Sequence, residues 1–158
     1  MSLISTDQKL VGVLKNLEAR RCVPCKAYIK EAMDLHERVP RLNPRGMALA
    51  NARVKLSADR SRIVRLKLTC LREVQELRDV NKRLADYLNV RYTNFLTQFK
   101  NKPARDAIIA EALSPLSRRI TPIENVLVLL DVILSDYDAT SFAIRDSCTA
   151  LTLADREA

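Results

Sequence analysis

Between Gly46 and Lys102 the chain carries no proline and no further glycine. Stepping through it by three or four residues gives Leu49, Ala52, Leu56, Asp59, Ile63, Leu66, Cys70, Val74, Leu77, Asn81, Leu84, Leu88, Tyr92, Phe95 and Phe99. All but Asp59 and Asn81 are apolar. Fourteen steps cover fifty residues, a mean near 3.57, which matches the α-helical period and not the period of two that a strand needs. At about 1.5 Å per residue, a helix over residues 45–102 is roughly 85 Å long. A compact chain of this length has a radius of gyration of about 15 Å, so an unbroken helix cannot hide inside one. Either tertiary packing breaks it, or its apolar stripe is covered by another chain. The stripe therefore predicts an association surface, with Leu56, Ile63, Leu77, Leu84 and Leu88 as its main contacts. Asn81 lies among them as a polar residue that sets register in a helical seam.

The expected fold is all-α, a helical bundle organised around that one long helix. A single helical domain over residues 1–158 divides into an N-terminal hairpin (1–44), the long helix (45–102) and C-terminal helices (103–158). The opening helix spans Thr6 to Arg20, with Ser5 or Thr6 as its cap. A second helix enters at Pro24 and runs to Val39, and Pro40 and Pro44 bracket the connection to the long helix. The aromatic residues Tyr87, Tyr92, Phe95 and Phe99 mark the far end of the long helix, where the C-terminal helices are expected to pack back. A short helix runs from Pro103 to Leu113 and stops at Ser114-Pro115.

Thr121-Pro122-Ile123-Glu124 has the form of a capping box, with proline in the first helical position, and predicts a fresh helix start. The helix it opens, to Leu134, is apolar nearly all round and reads as a buried central element. Asp136-Tyr137-Asp138 then reads as a turn, and a last helix covers Thr140 to Leu153.

The net charge of +8 is unevenly spread. Residues 45–72 hold eight bases against Asp59 alone, a balance of +7, whereas residues 101–158 hold six bases and nine acids, a balance of −3. Arg53, Arg60 and Lys67 recur every seven residues beside the stripe, and Lys55, Arg62, Arg65 and Arg72 occupy much of the far side. A phosphate backbone lying along the helix would meet a row of cations and bind with strong salt dependence. The competing reading is a solvated helix face, neutralised by the acidic C-terminal part. Asp59 is expected to pair locally with Arg62 or Lys55.

Little else in the chain carries chemistry. Two glycines, Gly12 and Gly46, cannot build a phosphate loop or a dinucleotide fingerprint. Cys22-Val23-Pro24-Cys25 has metal or redox spacing, but a zinc site needs four ligands, and only His36, Cys70 and Cys148 could add to it. One histidine cannot make a paired metal site or a catalytic triad without remote partners. Asp136, Asp138 and Thr140 imitate the start of a calcium loop that lacks its required glycine and its bidentate glutamate. No metal, cofactor or small-molecule substrate is assigned. The longest apolar run, Val126 to Leu134, is broken by Asp131 and too short to span a bilayer. The N-terminus has no secretory pattern, and the cysteines do not read as a disulfide framework. A soluble intracellular protein in a reducing compartment, cellular or viral, is expected.

These features predict a non-enzymatic helical assembly protein that self-associates or binds partner helices through the stripe. The alternative is a basic nucleic-acid-binding protein of packaging or nucleocapsid type, using the Arg/Lys face of residues 45–72.

Overall fold

Helices follow one another with no strand among the described residues, as the apolar periodicity requires. The computed structural model describes residues 3–39 and 47–157, with side chains at 4, 6–39 and 51–150. A 3-10 turn over Leu3–Thr6 precedes α1 (Gln8–Ala19), α2 (Cys25–His36), α3 (Met47–Arg91), α4 (Thr93–Leu96), α5 (Lys102–Ala112) and α6 (Ser114–Glu157). The connection bracketed by Pro40 and Pro44 and the expected helix start at residue 45 lie outside the described residues.

The long helix forms, but it ends at Arg91 rather than Lys102. Tyr92 leaves helical geometry at φ −107°, ψ 22°, and its hydroxyl is held by Asp7, 2.9 Å away. A tertiary hydrogen bond thus fixes an end that the apolar pattern runs past.

The larger departure is α6. Forty-four residues form one helix with Pro122 in its interior, where two shorter helices, Thr121 to Leu134 and Thr140 to Leu153, were expected. Thr121 does not cap: its hydroxyl donates to the carbonyl of Ser117, one turn back inside the same helix. Glu124 takes Arg78 instead of reaching back to the cap. Pro122 faces solvent, so the Arg118 carbonyl that it deprives of a donor can turn to water. Ile120 and Ile123 are buried on either side of it. Asp136, Tyr137 and Asp138 are helical too, and each serves tertiary packing rather than a turn. Nor is Val126–Leu134 buried all round, because Val128 and Val132 face outward.

Contacts divide the chain into two compact units, and α3 and α6 each contribute to both. Unit 1 comprises Met1–Val23 and Leu71–Glu124. Its core joins Leu10, Val74, Leu77, Leu84, Leu88, Ile109, Leu116 and Ile123. Here α1 runs antiparallel to α3, with Arg20 bonded to Glu76 (2.7 Å) and Asp7 bonded to Tyr87 and Tyr92. Asp7, not Ser5 or Thr6, caps α1, accepting from the backbone N–H of Lys9 and Leu10 at 3.0 Å each. The aromatic end of α3 therefore receives the N-terminal segment. At the other end of α1, Arg119 donates to the Leu17 and Arg20 carbonyls. The Leu17 carbonyl also accepts the Arg20 N–H at 3.2 Å, so the guanidinium adds a second donor at a helix end where carbonyls are short of them.

Unit 2 comprises Pro24–Cys70 and Asn125–Ala158. Both α2 and α6 run antiparallel to α3 here: Glu31 meets Arg62, while Asp138 meets Arg60 (2.7 Å) and Asp131 meets Lys67. The core joins Ala32, Leu35, Leu56, Ile63, Leu66, Val126, Leu130, Ile133 and Tyr137. Tyr137 is fully buried and donates its hydroxyl to the Leu35 carbonyl at 2.7 Å. Burial, with Asp59 nearby, pushes its pKa from the ordinary 10.0 up to about 12. Between those two pH values the unfolded chain has released this proton and the folded chain has not. Stability is therefore complete below pH 10 and falls as pH rises toward 12. Urea unfolding across that window is expected to show a shallower decline for Tyr137→Phe. At neutral pH this variant should lose about 1 kcal/mol for the missing hydrogen bond.

Candidate nucleic-acid interface

The predicted contacts of the stripe are internal. Leu56 and Ile63 are buried in unit 2, and Leu77, Leu84 and Leu88 in unit 1, each against the chain's own helices. Their assignment to an interface with another chain is corrected on physical grounds: each is at most 4% exposed, covered by the chain's own helices within its unit. Asn81 is half-buried, and its Oδ1 has no hydrogen-bond partner. It lines a shallow groove with Asp106 and Ser117.

The basic segment separates into two flanks. The seven-residue row faces α6 in part: Arg60 binds both carboxylate oxygens of Asp138, at 2.7 and 3.2 Å, and Lys67 binds Asp131. The Arg60 guanidinium holds the Asp138 carboxyl below its ordinary range, against a smaller opposing effect of burial. This part of the row is spent on helix pairing, as the neutralisation reading anticipates. Arg53, its remaining member, is exposed with no ion pair among the described residues.

The other flank is different. Asn51, Lys55, Ala58, Arg62, Arg65 and Thr69 follow at alternating steps of four and three, so they share one side of α3. They line two adjoining clefts of about 760 and 470 Å³ that share Ala58 and Asp59. Arg38, just past the end of α2, lines the first cleft from the opposite side. The groove therefore opens between α2 and α3 and continues along α3, all within unit 2, over the 18 steps from Asn51 to Thr69 or about 27 Å. Arg38, Lys55 and Arg65 are exposed and have no ion pair among the described residues. Arg62 is held by Glu31, whose carboxylate raises the guanidinium pKa further, with Asp59 adding a lesser effect. Asp59 is the one acid lining the groove among the described residues; none of their ion pairs joins it to Arg62 or Lys55, contrary to the local pairing expected. Arg72, also exposed and without an ion pair, belongs to the part of α3 in unit 1.

Arg38 is the functional candidate that sequence reasoning missed. It looks like any solvated arginine at a helix end, and only the antiparallel packing of α2 on α3 sets it opposite Lys55. Among the described residues no aromatic side chain lines either cleft, so these residues offer charge and amide or hydroxyl groups but no stacking platform.

The other chemical candidates are dispersed. His36 bonds Asp136 at 2.9 Å on the half-exposed edge between α2 and α6. Asp136 and Asp138 point to different helices, and Thr140 donates to the Asp136 carbonyl. Cys22 is exposed, Cys25 and Cys148 are half-buried, and Cys70 is buried in the core. Among the described residues no group of three or more His, Cys, Asp or Glu side chains could hold a metal ion, and no helix is long and apolar enough to cross a membrane. No family model, curated protein or solved structure matches the chain.

Proposed function

We propose that this chain is a non-enzymatic helical protein that binds the phosphate backbone of nucleic acid along the groove between α2 and α3. One observation carries the reading: Arg38, Lys55 and Arg65 line a groove about 27 Å long and have no ion pair among the described residues, while neighbouring cations of α3 are paired. Leaving three arginine and lysine head groups unpaired beside one another keeps a positive potential along the groove, which a polyanion relieves by releasing its counterions. With no stacking residues, binding is tolerant of sequence. Three phosphate contacts give a slope of about −2 to −3 in a plot of log affinity against log salt.

The test is anisotropy of labelled single-stranded and duplex oligonucleotides across a salt series. The intact chain is expected to bind in low salt with that slope. Charge reversal at Arg38, Lys55 and Arg65 should weaken binding at least a hundredfold and flatten the slope. The same reversal at Arg53 alone should change affinity less than fivefold. No binding by the intact chain in low salt, or equal binding by the triple variant, would overturn the reading.

The assembly reading loses the long stripe as its surface. A different face favours it.

A further inference from the structure

The outward side of α6 carries a second apolar pattern, independent of the groove. Val128, Val132, Ser135, Ala139 and Phe142 follow at steps of four, three, four and three, opposite the buried face of the same helix. Val128 is 65% exposed, and Val132 and Phe142 are each 56% exposed. Isolated exposed apolar residues need no explanation, but three large ones at seam spacing along about 21 Å of one helix form a stripe. We propose that this face of α6 packs against α6 of a second copy of the chain, with the two helices antiparallel about a two-fold axis.

Charge placement selects both the occupant and the direction. Asp131, Asp138 and Arg145 lie along one edge of the stripe, seven residues apart, and Asp136 lies along the other. In an antiparallel pair like edges meet, so Asp131, which also holds Lys67 of its own chain, faces the second copy's Arg145, and the reverse contact is made by symmetry. In a parallel pair opposite edges meet: Asp131 would face the second copy's Asp136 and Arg145 the second copy's Ala150, so the arginine would meet no carboxylate. The antiparallel register sets Val132 against the second copy's Phe142 and places Ser135 and Ala139, both small, at the axis where the backbones approach. Asp136 and Asp138 then meet their own copies near the axis. Each already has a partner within its chain, His36 and Arg60 respectively, which removes most of the cost of two like charges meeting. Arg145 lies over the Phe142 ring at 5.1 Å, which holds the guanidinium at the edge of the stripe.

The contact is small, so association is weak, with a dissociation constant on the order of tens to hundreds of micromolar. Sedimentation equilibrium of the full chain up to about 1 mM is expected to show reversible dimers. Val132→Glu with Phe142→Glu should remain monomeric throughout that range while keeping its helix content and melting temperature, since both sites face solvent. Arg145→Glu should weaken dimers at least fivefold. Orientation is read by disulfide trapping in a Cys22→Ser background. Chains carrying Ser135→Cys should cross-link to chains carrying Ala139→Cys faster than to themselves. Persistent monomers in the intact chain, dimers that survive the double glutamate variant, or faster cross-linking of Ser135→Cys to itself would each overturn the proposal.

Discussion

Asp7→Ala is expected to destabilise the chain by about 2–3 kcal/mol, one of the two largest effects foreseen. The carboxylate is only 7% exposed and joins two parts of the chain far apart in sequence. It caps α1 through the N–H groups of Lys9 and Leu10, and it accepts the hydroxyls of Tyr87 (3.2 Å) and Tyr92 (2.9 Å) at the end of α3. Removing an N-cap costs typically about 1 kcal/mol, and stranding part-buried hydroxyls adds about 1–2 kcal/mol. Urea unfolding measures the loss, and Ser5→Ala should leave the midpoint nearly unchanged.

Burial works to raise the Asp7 pKa, but the hydrogen bonds from Leu10, Tyr92, Tyr87 and Lys9 outweigh it and hold the value below the ordinary 3.8. A depressed folded pKa contributes stability that is complete above the unfolded value and is lost as pH falls below about 4. The acid limb of the stability profile should accordingly be shallower in Asp7→Asn. If Asp7→Ala unfolds within 0.5 kcal/mol of the intact chain, the junction does not hold α1 to α3.

Pro122→Ala is expected to stabilise the chain by about 1–3 kcal/mol. Proline inside a helix removes one backbone hydrogen bond and crowds the preceding turn, at a cost of up to about 3 kcal/mol relative to alanine. Its solvent-facing position lowers that cost, because water can satisfy the Arg118 carbonyl. Thr121→Ala should change stability by less than about 0.5 kcal/mol, since its hydroxyl only bonds back within the helix. A true capping box would reverse both results: Thr121→Ala would cost about 1 kcal/mol and Pro122→Ala would be close to neutral. Urea midpoints of these two variants therefore decide whether α6 is continuous at this point.

The continuity of α6 removes the breaks expected at Thr121 and at Asp136–Asp138. With Pro122 inside the helix, Leu116, Ile120 and Ile123 are buried in unit 1, and Val126, Leu130, Ile133 and Tyr137 in unit 2. Each such side chain contributes about 1.5–3 kcal/mol on burial, so residues on both sides of the proline outweigh a cap and a turn worth about 1 kcal/mol each. The aspartates of the supposed turn were misjudged for a related reason. Asp136 and Asp138 are polar because they meet His36 and Arg60, not because the chain reverses there.

The candidate groove was legible in part. Lys55, Arg62 and Arg65 were visible as a basic face, but the seven-residue repeat of Arg53, Arg60 and Lys67 drew equal notice and proved to be largely helix pairing. Arg38 could not be placed without the packing of α2.

By itself the amino-acid order determined the all-α class, the 3.6-residue rhythm of α3, the side chains on its buried face, and the surplus of cations beside them. These follow from local geometry, since a helix places residues three and four apart on one side whatever lies opposite. Tertiary structure decided where α3 stops, whether α6 runs through a proline, what covers the stripe, and which arginines and lysines stay unpaired. Those outcomes depend on contacts between residues tens of positions apart, whose register no short stretch of sequence encodes.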